Sequence, residues 1–477
     1  MTLIKSISGI RGIIGGKEGE GLTPFDIVRY TSAYGWWLIK KSNEDFKKQP
    51  KKLIVIGRDS RISGEMLNKL VQGVLAGLGF DVCDIGLAST PTVEMAIIKE
   101  KAYGGIILTA SHNPEIWNAL KLLNNEGEFL SAEDGQELIE IAANSGNEIL
   151  FADAYKIGSY SQIENYGQYH INEIIDLPYV DVDLIKSKKY KIVIDCVNSV
   201  GGLVIPVLLN SLGVNVVVGL NCDPNGIFPH NPEPLPENLF EISETVVSEN
   251  ADLGFVVDPD VDRLAIICED GSFFGEENTL VAVADYILGI KKGNTVSNMS
   301  SSRALKDITK KYGGEYLATA VGEVNVVKGM KETNAVIGGE GNGGVILPDL
   351  HYGRDALVGI ALFLTYMAKK GKTPTEIKSF LPSYEMSKRK IDLVSGTDLD
   401  GILDYFVWKY SQGDVQIKSN TISTVDGVKI DFEDSWVHLR KSNTEAIIRI
   451  YTEAKTKEKA DKLGENFVDE LVKRSKM

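Results

Sequence analysis

The sequence predicts an α/β protein of three related α/β domains with mixed, largely parallel sheets, followed by a smaller α+β C-terminal domain. Three observations carry this prediction. A short β-branched run followed by Ser, Gly or Asn, a helical pattern and a second strand recurs three times. Each copy then has a third apolar strand ending in a loop rich in polar residues with Gly or Pro. After Pro374 and Pro382 the texture changes to short strands and one closing helical pattern. With 477 residues, 43% of them apolar, the length alone allows about three domains. The order of the repeats predicts four, at 1–157, 158–270, 271–382 and 383–477.

The leading strands are Leu53 to Gly57, Lys191 to Asp195 and Thr295 to Met299. Helical patterns follow at Glu65 to Gly77, Gly202 to Leu212 and Arg303 to Tyr312, and further strands near Phe80, Val214 and Glu315. Such alternation implies parallel sheets covered by helices on both faces. The third strands run into GGIILTASHNP at 104–114, LGFVVDPDVDR at 253–263 and AVIGGEGNGG at 335–344. In open α/β sheets ligands gather beyond the carboxyl ends of strands, so three related loops are expected to serve one cleft. The last domain is marked by strands at Val428 to Phe432 and Ile447 to Tyr451 and a helix from Lys457 to Lys473.

Composition excludes several classes of function. Lys and Arg number 51 against 66 Asp and Glu, a net charge of −15, which repels nucleic acid and anionic membrane. Any phosphate must therefore be held by local cations and backbone N–H groups. Cys83, Cys196, Cys222 and Cys268 are widely spaced and form no C-x-x-C pair, which speaks against a zinc site or a disulfide framework. No run of about 18 apolar residues occurs and the N-terminal apolar stretch is short, so neither a membrane span nor a signal peptide is predicted. A reducing cytoplasm is the expected location.

Four loops carry candidate chemistry. In DPDVDR, Asp258, Asp260 and Asp262 alternate after a strand and can turn hard anionic oxygens toward one centre, the donor set that suits Mg²⁺. An EF-hand shares the D-x-D-x-D spacing with Glu269 at the twelfth position, but Arg263 stands where its turn requires Gly and strands flank the loop. TASHNP places Ser111 before an Asn113-Pro114 turn. A serine hydroxyl is a poor nucleophile without a base, a metal or a phosphorylated resting state. No G-x-S-x-G elbow is present, so a hydrolase triad with His112 is not predicted. GGEGNGG contains G-x-G-x-x-G at Gly339, Gly341 and Gly344, yet Val345 to Leu347 continue as strand where a dinucleotide site needs a helix. Glu340 and Asn342 there suit bidentate hydrogen bonds to neighbouring sugar hydroxyls; a flexible hairpin stays open as the alternative. RKSNTEAIIR gathers Arg440, Ser442, Asn443 and Thr444 in a turn with Arg449 after it, donors fit for a phosphate dianion.

These motifs, in this order over nearly the whole chain, resemble the α-D-phosphohexomutases, which interconvert sugar 1-phosphates and 6-phosphates. TASHNP resembles the family's phosphoserine loop, DPDVDR its magnesium loop, GEGNGG its sugar loop and RKSNTEAIIR its phosphate loop. SGIRG at 8–12 and GRDSR at 57–61 resemble two further signatures. The resemblance implies that the four domains surround a central cleft. It implies that Ser111 carries the transferable phosphoryl group and that Mg²⁺ is held by Ser111, Asp258, Asp260 and Asp262. A sugar bisphosphate is then the intermediate and activator, turning around so that either end meets the distal phosphate site of Arg440, Ser442, Asn443 and Thr444. Lys121 matches the lysine of proton transfer, and a lowered pKa is expected of it from neighbouring cations. Arg11, Arg61, His112 and Arg263 match other active-site positions.

Departures from the family pattern stand at Asn342, where Ser is common, and at Gly344, where His is frequent. Others are Ala119 after Asn118 and Ala446 in the phosphate loop. GEGNGG together with HNPEPLPENL at 230–239 looks most like archaeal-type phosphoglucosamine mutases, so glucosamine phosphate is the expected substrate, with glucose or mannose phosphate next. A metal-dependent sugar phosphatase and a catalytically silent sugar-phosphate binder are the more distant expectations. The partner is expected to be a small phosphosugar, with no nucleic acid or membrane, acting on a monomer or homodimer.

Overall fold

A computed structural model describes residues 2–6, 9–42, 52–144, 149–392, 398–411, 421–441 and 447–475. The chain forms two compact units, Met1–Ile287 with Asn342–Lys378, and Leu288–Gly341 with Ser379–Met477.

The first unit holds β1 (Ile4–Ser6), β2 (Gly9–Ile13), β3 (Leu53–Arg58), β4 (Asp81–Leu87), β5 (Gly104–Leu108), β6 (Trp117–Leu123) and β7 (Tyr160–Gln162). They form one sheet in the order β1-β2-β6-β5-β3-β4-β7. β3 runs parallel to β4 and β5, while β6 returns antiparallel to β5 and β2. Side chains alternate across the pleat, so Ile54, Ile56, Ile106 and Leu108 join Tyr30, Leu67 and Leu75 on one face. Val55 and Ile107 join Val93 and Ile97 on the other. Both faces are covered, which is why these strands read as continuous apolar runs.

The same unit contains β8 (Lys191–Asp195), β9 (Asn215–Leu220), β10 (Leu253–Val257) and β11 (Leu264–Cys268), ordered β11-β10-β8-β9. β8, β9 and β10 are parallel, and β11 folds back antiparallel on β10 with Val257 opposite Leu264. Both sheets therefore use one device: a parallel strand delivers a loop and an antiparallel strand takes the chain back.

In the second unit β12 (Thr295–Asn298) lies between β13 (Tyr316–Thr319) and β14 (Ile337–Glu340), parallel to both. β15 (Gly344–Ile346) follows and opens the returning segment of the first unit. The last sheet is antiparallel: β16 (Glu385–Asp392), β17 (Thr421–Ser423), β18 (Val428–Asp431), β19 (Ser435–Lys441) and β20 (Ile447–Ala454), in the order β16-β20-β19-β18-β17. Phe406 and Phe467 from its two helices pack on Ile430 and Ile450. Among the described residues no helix is long and apolar enough to cross a membrane.

The predicted leading strands and helices of all three repeats lie within a residue of those observed. The strand before the Gly-rich loop does not: predicted at Ala335 to Ile337, it is Ile337–Glu340, and the strand expected from Val345 is Gly344–Ile346. A Cβ on Gly338 would stand 2.7 Å from the Val296 carbonyl oxygen and 2.6 Å from Met330 Sδ. Gly338 is the residue that lets strand and helix close on each other.

Behind the first unit's sheets, a buried network ties three helices together. Asp355 caps the helix Ala356–Lys370, accepting the N–H groups of Leu357 and Val358 on one oxygen. Its other oxygen lies 2.8 Å from His170 Nε2 and 3.3 Å from His351 Nε2. His170 Nδ1 is 3.0 Å from Thr92 Oγ1 and His351 Nδ1 is 3.2 Å from Glu94. Ligand atoms of His170, His351 and Asp355 fall within 4.8 Å of one another, yet both His170 nitrogens and His351 Nε2 are hydrogen-bonded and His351 Nδ1 is ion-paired with Glu94, a network of protons rather than of free ligand atoms. Burial presses the His351 imidazolium toward deprotonation, but the hydrogen bonds to Asp355 and Glu94 outweigh it and push the pKa up to about 10. Stability from that proton is present in full below the unfolded value of 6.5 and is lost as pH rises through about 10. Thermal melting of the wild type should therefore fall more steeply above neutral pH than that of His351→Gln; parallel profiles would remove His351 from this role.

Candidate active site

Ser111 sits in the loop between β5 and β6, where φ is +49°, a left-handed conformation that costs a non-glycine residue energy. Its surroundings enforce it. Thr109 Oγ1 accepts the Ser111 N–H at 3.0 Å and donates to Asp59 at 2.6 Å. Arg61, fully buried, uses every N–H of its guanidinium. Nε donates to Asp59 at 2.9 Å, Nη1 to the carbonyls of Pro114 and Trp117, and Nη2 to those of Ser111 and Asn113. Phe228 stacks on it at 5.1 Å. GRDSR is thus a scaffold under the serine loop, and the structure gives Arg61 no donor left for substrate.

The DPDVDR loop is the turn between β10 and β11. Asp258, Asp260 and Asp262 are all completely buried, with carboxylate oxygens within 4.8 Å of one another. Val261 takes φ of +61°, a strained value for a β-branched residue, with its N–H bonded to the Asp258 carbonyl. Asp258 Oδ1 accepts the N–H groups of Asp262 and Arg263 at 3.1 Å, and Oδ2 accepts the Ser111 hydroxyl at 2.9 Å. Asp260 Oδ2 accepts Thr90 Oγ1 and Lys121 Nζ, both at 2.6 Å. Asp262 Oδ2 accepts Arg354 Nη2 at 2.6 Å. Asp260 Oδ1 and Asp262 Oδ1 are buried with no hydrogen-bond donor. Orphaned buried carboxylate oxygens converging with a serine are the donor set of a hard divalent cation, so the chain's residues fit Mg²⁺.

Electrostatics agree. Burial, then the charges of Asp262 and Asp260, raise the Asp258 carboxyl well above the usual range. Burial raises Asp260 too, but Lys121 overrides it and holds the group below the usual range. Burial and the cations Arg263 and Arg11 push His112 well down, leaving a neutral imidazole whose Nδ1 is 3.5 Å from Ser111 Oγ. Lys121 corrects the sequence expectation. Burial presses its pKa down, but Asp260 and Asp262 reverse this and raise it, because β6 points Nζ at the aspartates.

Arg11 approaches Asn113 at 3.5 Å and Arg263 approaches Glu233 at 3.3 Å. The charges of Arg263, Arg11 and Arg354 all disfavour protonation of His112, so three cations lie within electrostatic reach of the residue that follows Ser111. Arg354 and Thr90 were missed in the sequence. Thr90 follows the Ser89 cap at a helix start marked by Pro91, and Arg354 precedes the Asp355 cap; a search for charged or hydroxyl residues beside predicted helix caps would have found both.

In the second unit Glu340 Oε1 accepts Asn298 Nδ2 at 2.7 Å and the Gly322 N–H at 3.1 Å. Arg440 pairs with Asp426 at 2.9 Å. Arg440 stands opposite Arg449, and Arg449 opposite Lys390, so three cations form a row across β19, β20 and β16. Like charges opposed across strands are unfavourable, and an anion over the row would relieve them; Lys390 was not anticipated. Ser442, Asn443 and Thr444 lie outside the described residues. Asn342, in the first unit, accepts the Gly344 N–H at 3.3 Å.

If Arg61 is scaffold, Arg61→Met should cost about 3–5 kcal/mol by stranding Asp59. Urea unfolding should show this, with faster proteolysis in the serine loop. Lost turnover at unchanged stability would instead make Arg61 a substrate ligand.

Comparison with known proteins agrees with this geometry. Residues 3–148, 168–271 and 276–384 match the phosphoglucomutase/phosphomannomutase alpha/beta/alpha domains I, II and III, and 399–470 match the C-terminal domain. A phosphoglucomutase/phosphomannomutase of Thermococcus kodakarensis is 37% identical, with 98% of each chain covered. A phosphoglucosamine/phosphogalactosamine mutase of Sulfurisphaera tokodaii is 33% identical over 98% of this chain and 97% of the relative. The crystal structure of a Burkholderia thailandensis phosphoglucomutase/phosphomannomutase family protein superposes with a TM-score of 0.81 at 25% identity, covering 99% and 98% of the two chains. With all four domains matched in order, the chain belongs to the phosphoglucomutase/phosphomannomutase family of α-D-phosphohexomutases.

Proposed function

We propose that this chain interconverts a hexose 1-phosphate and its 6-phosphate through phosphoserine 111, with glucosamine phosphate the preferred sugar. The observation that carries it is the Ser111 hydroxyl 2.9 Å from Asp258, within a buried aspartate triad that keeps two oxygens without a hydrogen-bond donor. Asp258, Asp260, Asp262 and Ser111 would hold Mg²⁺, which supplies charge neutralisation for phosphoryl transfer.

The strained loop and the Arg61 clamp fix Ser111 as the donor or acceptor in line with the sugar hydroxyl. Arg11 and Arg263 draw the equatorial oxygens of the phosphoryl group. Lys121, with Nζ 2.6 Å from Asp260, is the proposed proton carrier for the sugar hydroxyl. Glu340 and Asn342 are proposed to hold sugar hydroxyls, and Arg440, Arg449, Ser442, Asn443 and Thr444 the phosphate not in transit. A bisphosphate is the intermediate and must be retained while it turns around. The glucosamine preference rests on the GEGNGG and HNPEPLPENL motifs and the similarity to the Sulfurisphaera relative. Glucose or mannose phosphate is the alternative, favoured by the higher identity to the Thermococcus relative. We place the reaction in the cytoplasm.

Peptide mapping should find one phosphate on Ser111, and Ser111→Ala should abolish turnover on glucosamine, glucose and mannose 1-phosphates alike. Full mutase activity in Ser111→Ala would refute the phosphoserine route. Release of inorganic phosphate in place of a 6-phosphate would mark a phosphatase.

A further inference from the structure

Gly344 stands where its family frequently has a larger residue, and the structure shows what occupies the space. A Cβ at Gly344 would lie 2.4 Å from Arg354 Cδ and 3.0 Å from Cγ, and 3.1 Å from Asn342 Oδ1. The stem of Arg354 thus runs across the α-carbon of Gly344. The backbone just after Arg354 is held from two sides. The Asp355 N–H donates to the Val345 carbonyl at 2.8 Å, and the Ala356 N–H to the Val261 carbonyl at 3.2 Å. One anchor is the residue after Gly344 and the other lies in the metal loop itself. The guanidinium, buried to 8% exposure, ends 2.6 Å from Asp262 Oδ2. Asp262 Oδ1, by contrast, accepts no hydrogen bond, has only Arg263 Nε at 3.9 Å, and belongs to the aspartate triad.

We propose that Gly344 and Arg354 act as one device: the missing side chain admits the arginine, and the arginine holds Asp262 by Oδ2 so that Oδ1 is presented to the divalent cation. Arg354 is a positioning residue for a metal ligand, and Gly344 is its clearance. Hydrogen-bonded partners of ligating groups commonly change metal affinity by about 10- to 100-fold when removed. Electrostatics alone gives the opposite sign, since deleting a buried cation beside three carboxylates strengthens the pull on Mg²⁺. The two explanations are therefore separable by direction.

The proposal rests on assigning Mg²⁺ to the aspartate triad, and titration calorimetry of Mg²⁺ into the full-length protein tests both. If the wild type takes up no Mg²⁺, the assignment itself fails. If it does, Arg354→Ala should weaken binding by about tenfold or more, and raise the Mg²⁺ concentration for half-maximal turnover with it. Gly344→Ala, which leaves the charge in the chain but displaces the stem, should weaken binding similarly. The double variant should be no worse than Arg354→Ala, because the clashing atoms are gone. Arg354→Lys should recover only part of the affinity, since a point charge cannot reproduce the planar fork. Unchanged or tighter binding in Arg354→Ala, complete recovery in Arg354→Lys, or losses that multiply in the double variant would each overturn the device. Thermal melting of every variant in calcium- and magnesium-free buffer separates lost positioning from lost fold, with Gly344→Ala testing the idea without stranding a buried charge.

Discussion

Three carboxylates buried in a six-residue turn are the constraint to which the rest of the first unit answers. Unit charges 4.8 Å apart, the outer separation of their oxygens, repel by about 3 kcal/mol per pair even at an effective dielectric of about 20. No packing arrangement removes that term; opposite charge, donated hydrogens or a proton on one carboxyl offset it, and Asp258 is the carboxyl whose pKa burial and the other two raise. The chain recruits opposite charge and donated hydrogens from the loop itself and from distant sequence. Backbone N–H groups of Asp262 and Arg263 serve Asp258. Thr90 and Lys121 serve Asp260, and Arg354 serves Asp262. Compensation stops short at two oxygens, and that residue of uncompensated charge is what gives the site an appetite for a cation.

Strain is distributed in the same way. Val261 and Ser111 both lie in the left-handed region, one in each facing loop, and each is pinned by bonds to its own strand ends. Strained residues persist only where the surroundings over-determine them. Here the over-determination is visible: Arg61 binds four carbonyls of the serine loop, and the turn of the metal loop is closed at Val257 opposite Leu264. A parallel strand, a short loop and an antiparallel return anchor the functional residues at both ends, which a loop leading into a helix would not do.

Much of this was legible in the sequence, for a physical reason. Strands buried on both faces leave continuous apolar runs, so β3, β5, β8 and β10 announced themselves, and D-x-D-x-D at a strand end has few uses other than cation binding. What was hidden depended on contacts between remote segments. Lys121 was read as a lysine tuned downward by cations, but its charge state is set by aspartates 139 and 141 positions away, whose direction only the sheet register fixes. Arg61 was expected among the active-site residues by resemblance, and a motif does not say which oxygens its guanidinium meets. The run of β14 through Gly338 to Glu340 was hidden because tight helix packing leaves no mark in one segment.

Charge shows most clearly how local structure overrides composition. A net −15 describes a molecule that repels anions at long range, yet long-range fields are screened within about 10 Å at ordinary ionic strength. Inside that distance charges of both signs are set close together: Arg11, Arg263 and Arg354 act on His112 beside the aspartate triad, and Arg440, Arg449 and Lys390 line up across adjacent strands. Both groups place like charges close together, which a fold selected for stability alone would avoid. Each group is partly neutralised from within, Arg354 by Asp262, Arg263 by Glu233 and Arg440 by Asp426, so charge alternates in sign over a few ångströms in a molecule whose composition records only the acidic sum.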